Sequence, residues 1–122
     1  MAGKSHIPRL SHMIQAMERI RELTAGTDIA AFEEDWQKQW LVERGMQIIT
    51  EATRHLPDDL KARHTGIPWK DIWGLGNVLR HDYEGVAPKL LWKIVHEDFA
   101  ALEQVCRAEL EASGPDARRT EE

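Results

Sequence analysis

Phe32-Glu33-Glu34-Asp35-Trp36-Gln37-Lys38-Gln39-Trp40-Leu41-Val42-Glu43-Arg44-Gly45-Met46-Gln47-Ile48-Ile49-Thr50-Glu51-Ala52-Thr53-Arg54-His55-Leu56-Pro57 is the stretch whose periodicity decides the fold. Phe32, Trp36, Trp40, Leu41, Ile48, Ile49, Ala52 and Leu56 recur at helical intervals down to Pro57 and make a wide apolar stripe. Thr27 or Asp28 can cap such a helix, and Glu33 and Glu34 fall in its opening turns, where carboxylates suit the helix dipole. The spacing therefore predicts one long second helix.

The same period extends to both sides. Upstream, Ile7, Leu10, Met13, Ile14, Met17, Ile20 and Leu23 mark a first helix, stopped by Gly26. Downstream, Pro57-Asp58-Asp59 has the form of the first turn of a short helix. Gly66-Ile67-Pro68 breaks the chain, and a further helix is expected from Trp69 to about Tyr83, ending at Gly85. Pro88 opens the last one, with Leu90, Leu91, Ile94, Val95, Phe99, Leu102, Val105 and Leu110 as its core face, and Gly114-Pro115 ends it. No stretch alternates as a strand does, and no internal repeat is visible. The expected fold is all-α, a bundle of about four or five helices. It occupies residues 1–113 as a single domain, with 114–122 a disordered tail.

Composition agrees with a packed globular chain: 42% of residues are hydrophobic and 30% charged, with room at 122 residues for one ordinary core. The polar start, the absence of long apolar runs and a lone Cys106 point to a soluble, cytoplasmic protein without membrane contact. A net charge of -5 argues against a general nucleic-acid coat, and no DNA partner is expected. The charge is uneven, however. From Arg54 to His81 the basic residues Arg54, Lys61, Arg63, Lys70 and Arg80 outnumber the acids Asp58, Asp59 and Asp71, so a phosphate could be held there. Five tryptophans are many for so short a chain, and dimerisation would bury the excess aromatic surface.

Chemistry concentrates in Gly74-Leu75-Gly76-Asn77-Val78-Leu79-Arg80-His81-Asp82-Tyr83. Two glycines inside a helix each cost roughly 1 kcal/mol relative to alanine, which a close approach of backbone or ligand would explain. Asn77 and His81 share one face, and Gly76, Arg80 and Tyr83 a neighbouring one. An imidazole, a guanidinium and a phenol within a few residues suit metal-independent cleavage of RNA. His81 would move the proton of a ribose 2′-hydroxyl or of the leaving oxygen, and Arg80 would balance charge growing on phosphorus. Asn77 would fix the imidazole tautomer and Tyr83 would donate to a phosphate oxygen. The blander reading makes them ordinary helix-end residues. The six histidines show no metal-ligand spacing, so neither a metal nor a cofactor is expected, and Cys106 is read as a small buried hydrophobe.

Several segments in order raise this above spacing alone. Glu43-Arg44-Gly45-Met46-Gln47-Ile48-Ile49-Thr50-Glu51-Ala52, Ile67-Pro68-Trp69-Lys70-Asp71-Ile72, Gly76 to Tyr83, and Leu91-Trp92-Lys93-Ile94-Val95 closely resemble the HepT-like family of HEPN-domain proteins. The resemblance runs from about Ile7 to Leu102. It implies a helical homodimer with an Arg-x4–6-His-x-Tyr motif lining the interface, and a metal-independent endoribonuclease acting as the toxin of a toxin–antitoxin pair. It also implies a small nucleotidyltransferase partner that restrains the toxin by adenylylating the tyrosine. Residue by residue, His81 matches the histidine, Tyr83 the tyrosine and Asn77 the polar residue after the arginine. The arginine position itself is Gly76. Arg80 one turn on, Arg80 of a second subunit or Arg44 could replace it. Alternatively, the protein is a catalytically inactive module that binds RNA or its partner.

Overall fold

The computed structural model describes residues 6–81 and 87–113. Among them the chain is helical throughout its regular elements and contains no strand. Helix α1 (Ile7–Thr24) buries Ile7, Leu10, Met13, Ile14, Met17 and Ile20 along one side, and Gly26 just beyond its end takes a left-handed φ of 74°. That conformation favours glycine and turns the chain back towards the bundle.

The expected long second helix is two helices. Short α2 (Ile29–Glu33) is capped by Asp28, whose carboxylate accepts from the Ala31 amide at 2.8 Å. Asp35 then leaves helical geometry and caps α3 (Trp36–Arg54) by accepting from the Lys38 amide at 3.1 Å. Gln39 closes the corner, its amide nitrogen donating to the carbonyls of Phe32 at 2.9 Å and Glu33 at 3.0 Å. A second capping carboxylate thus outcompetes continuation of the helix. The split rotates the apolar stripe. Phe32, Ile49, Ala52 and Leu56 are buried, while Trp36, Trp40, Leu41 and Ile48 stand on the surface, Trp40 with 63% of its area exposed. The buried side of α3 is made by Val42, Met46, Ile49, Ala52 and Thr53 instead.

Pro57 leads into α4 (Asp58–Arg63), and Pro68 precedes α5 (Trp69–His81), matching the expected starts. Tyr83, Gly85 and the tail 114–122 lie outside the described residues. The last helix begins at Pro88 as α6 (Pro88–Lys93), widens into a π-helical turn (Ile94–Asp98) and continues as α7 (Phe99–Ser113). Leu91, Val95, Phe99, Leu102 and Val105 on it are buried as expected, whereas Leu90 is exposed.

Helix α3 is the central rod, packed against α1 on one side and α5 on the other, with α7 against α1. Glycine sets both close approaches. A Cβ at Gly45 would lie 2.6 Å from Ile20 Cδ1, and one at Gly76 would lie 2.8 Å from both Cβ and Oγ1 of Thr50. Phe32 packs at 5.5 Å on the Trp92 ring, joining α2 to α6. Polar pins complete the bundle: Glu103 binds Arg21 and, at 2.7 Å, Arg107. Glu109 accepts from Arg63 at 2.7 Å and His64 at 2.6 Å, tying α7 to the end of α4. The Trp69 indole N–H donates to the carbonyls of Lys61 and His64. Cys106 is fully buried, as read from the sequence, and burial pushes its thiol up to about 12. No helix among the described residues is long and apolar enough to cross a membrane.

Candidate active site on the α3–α5 face

Gly76 explains itself first. Its missing side chain lets α5 settle on Thr50 of α3, so the mid-helix glycine serves a backbone approach. Gly74 differs: nothing lies within 4 Å of where its Cβ would be. Instead it lines an apolar groove of about 550 Å³ with Leu75, Val78, Leu90 and Ile94.

Arg80 lies over the contact that Gly76 makes. Its Nη1 is 3.6 Å from the point where a Cβ of residue 76 would begin. Nη2 donates weakly to Oδ1 of Asn77 at 3.5 Å, and Nη1 stands 3.6 Å from Oε1 of Glu51. The structure therefore brings Asn77 and Arg80 together and adds Glu51 from α3. His81 is exposed at the last turn of α5, four residues from Asn77, and has no hydrogen bond among the described residues.

Helix α3 braces this segment through Gln47 and Glu51, to which sequence reasoning gave no role, and through Arg44. Gln47 donates to the Leu79 carbonyl at 3.2 Å, tying α3 to the end of α5. Arg44 in turn donates to Gln47 Oε1 at 3.2 Å. Glu51 accepts from Arg54 at 3.2 Å and His55 at 3.1 Å. His55 and then Arg54 hold its carboxyl below the usual carboxylate range. Gln47, Glu51 and His55 recur with Arg44 and Arg54 at three- and four-residue spacing, the one sequence signal that could have tied them to these arginines.

None of Asn77, Arg80 and His81 lines this groove or the one of about 570 Å³ between α1 and α3. They occupy an open face of α5, on which Trp73, one turn before Asn77, is also exposed.

The family model described as Ribonuclease HepT-like matches residues 13–109. The chain belongs to the HepT-like ribonuclease family. A Thermococcus cleftensis protein named Probable ribonuclease HepT is 36% identical over 99 residues, covering 81% of this chain and 90% of that one. Relatives from Caldanaerobacter subterraneus and Methanocaldococcus jannaschii, also provisionally named as RNases, are 31% and 33% identical. They cover 83% and 78% of this chain and 90% and 87% of their own lengths. No solved structure matches the chain. For a HepT-like protein, the geometry at position 76 matters most. A side chain there would drive its Cβ into Cβ of Thr50, so the arginine that the resemblance places at this position has no room in this packing.

Proposed function

We propose that this HepT-like chain is a metal-independent endoribonuclease in which Arg80 takes over the part of the arginine missing at position 76. One observation carries the reading: the Arg80 guanidinium lies directly above Gly76 and beside Asn77. In the reaction, a ribose 2′-oxygen attacks the adjacent phosphorus and the 5′-oxygen leaves. One product end is then a 2′,3′-cyclic phosphate and the other a 5′-hydroxyl. His81 takes the proton from the 2′-hydroxyl or gives one to the leaving oxygen. Arg80 offsets the charge that accumulates on the phosphoryl oxygens. Asn77 orients the imidazole and Tyr83 donates to the phosphate.

The open face favours a site completed by a second copy. Acid–base chemistry gains from a site that excludes water, and these residues on their own present a surface rather than a cavity. Exposed Trp36, Trp40 and Trp73 supply the apolar area a two-fold interface would cover. In this reading the protein is the toxin of a pair, and a small nucleotidyltransferase restrains it by adenylylating Tyr83.

The test is cleavage of a labelled structured RNA in EDTA by wild type, Arg80→Ala and His81→Ala. Wild-type cleavage that falls on the order of 10²-fold or more in each variant supports the assignment. A folded, dimeric wild type that never cuts would instead support the inactive RNA- or partner-binding module, with Gly76 as its cause.

A further inference from the structure

Glu51 gathers more than Arg80. Its Oε1 lies 3.2 Å from Nη1 of Arg54 and 3.6 Å from Nη1 of Arg80, while its Oε2 lies 3.1 Å from Nε2 of His55. Donors from two helices thus converge on one carboxylate at the surface. His55 and then Arg54 hold the Glu51 carboxyl below its ordinary range, and Arg80 makes the longest of the three contacts. Exposed ion pairs add little to stability, and the α3–α5 contact is already set by Thr50 against Gly76. Holding the fold is therefore a poor explanation for assembling two arginines and a histidine here.

Charge supplies a better one. Within this group a single carboxylate faces two permanent cations, in a chain whose net charge is -5. Because both guanidiniums reach the same oxygen, they are close enough to share one anion. A phosphodiester presents non-bridging oxygens to which guanidiniums donate strongly.

We propose that Arg54, His55 and Arg80 form a second phosphate subsite, which takes an RNA phosphodiester neighbouring the one cleaved at His81. Glu51 is the internal anion that keeps these donors gathered until RNA replaces it. The subsite rests on the ribonuclease reading, since it names a further contact with the same substrate. Arg54 binds and positions RNA without touching the reacting atoms. Arg80, the donor held most loosely by Glu51, links this subsite to the cleaved phosphate.

The experiment measures binding of a fluorescent 2′-O-methyl RNA oligonucleotide, in which the attacking hydroxyl is blocked, to the full chain across a salt series. Arg54→Ala is expected to weaken binding about fivefold to tenfold and to lower the logarithmic salt slope by about 0.7. Glu51→Gln is expected to tighten binding, because the competing charge is gone. On cleavable RNA, Arg54→Ala should raise KM and leave kcat unchanged, with the melting temperature of the wild type. Unchanged affinity and slope in Arg54→Ala would overturn the subsite while leaving the ribonuclease reading intact, provided wild type binds and cuts. Weaker binding by Glu51→Gln would also overturn it, since Glu51 would then be a structural anchor for the arginines. A wild type that neither binds nor cuts RNA would end both proposals.

Discussion

The molecule contains the same triplet of side chains twice, in two very different settings. At the α4–α7 junction Glu109 receives the adjacent residues Arg63 and His64. On the α3–α5 face Glu51 receives the adjacent residues Arg54 and His55. The Glu109 side chain is only 11% exposed, and its bonds, at 2.6, 2.7 and 3.3 Å, join segments far apart in sequence. The Glu51 side chain is 44% exposed, its bonds are 3.1–3.2 Å, and these partners come from its own helix. Burial turns one arrangement into a strut. Exposure leaves the other available to a ligand. The local chemistry is alike, so the difference lies in what surrounds it.

If that contrast holds, removing the two carboxylates has unequal effects on stability. Glu109→Gln should cost about 2 kcal/mol in urea denaturation, because charge-assisted bonds in a mostly buried site are lost, while Arg63 is left with its longer contact to Asp59 at 3.5 Å. Glu51→Gln should cost less than about 0.5 kcal/mol. Similar losses in both variants would break the comparison.

The two glycines of α5 sharpen it. Gly76→Ala should destabilise by roughly 1–3 kcal/mol, since its Cβ meets Thr50 at 2.8 Å. Gly74→Ala has free space and should stabilise by about 0.5–1 kcal/mol through helix propensity. Thermal melts of both variants decide whether glycine is required in α5 only where it meets Thr50. Opposite signs are the expected result.

The smallest effect is the pH dependence. Arg63 first, and then His64, hold the Glu109 carboxyl below its ordinary value of 4.5. A lowered carboxyl stabilises the fold above its unfolded value and loses that contribution as the pH falls through its folded value. Stability should therefore decline as the pH drops below about 4.5, with Glu103, held down by Arg21 and Arg107, adding to the slope. Glu43, raised by burial, opposes it. The Glu109→Gln variant should show a shallower acid slope than wild type in denaturant titrations at stepped pH.

Most of the fold could be read from periodicity, because the buried residues of α1 and α7 recur cleanly and prolines mark the starts of α4, α5 and α6. The break at Asp35 could not be, since a carboxylate in the middle of an amphipathic run looks like surface until its cap bond is seen. The placement of the tryptophans was left open for a related reason. Trp36 and Trp40 keep helical spacing yet stack edge-on against each other at 4.9 Å on the surface rather than entering the core. At the candidate site, Asn77, Arg80 and His81 stood out by residue type and spacing, and the structure brings Asn77 and Arg80 together. The contribution of α3 was hidden because Gln47 and Glu51 act across helices, and only antiparallel packing of α3 on α5 places them opposite Leu79 and Arg80. Gly76 carried an ambiguous signal: a lost arginine and a required close contact look identical in sequence.

In the proposed reaction Arg80 supplies the cation that position 76 lacks. The single-turnover rate of RNA cleavage in EDTA by Arg80→Ala and by Arg80→Lys, with dimerisation and melting temperature matched to wild type, tests this. The expected result is a loss on the order of 10²-fold or more for alanine, with partial recovery by lysine, which restores charge without the planar fork. Cleavage by Arg80→Ala at the wild-type rate would contradict the claim.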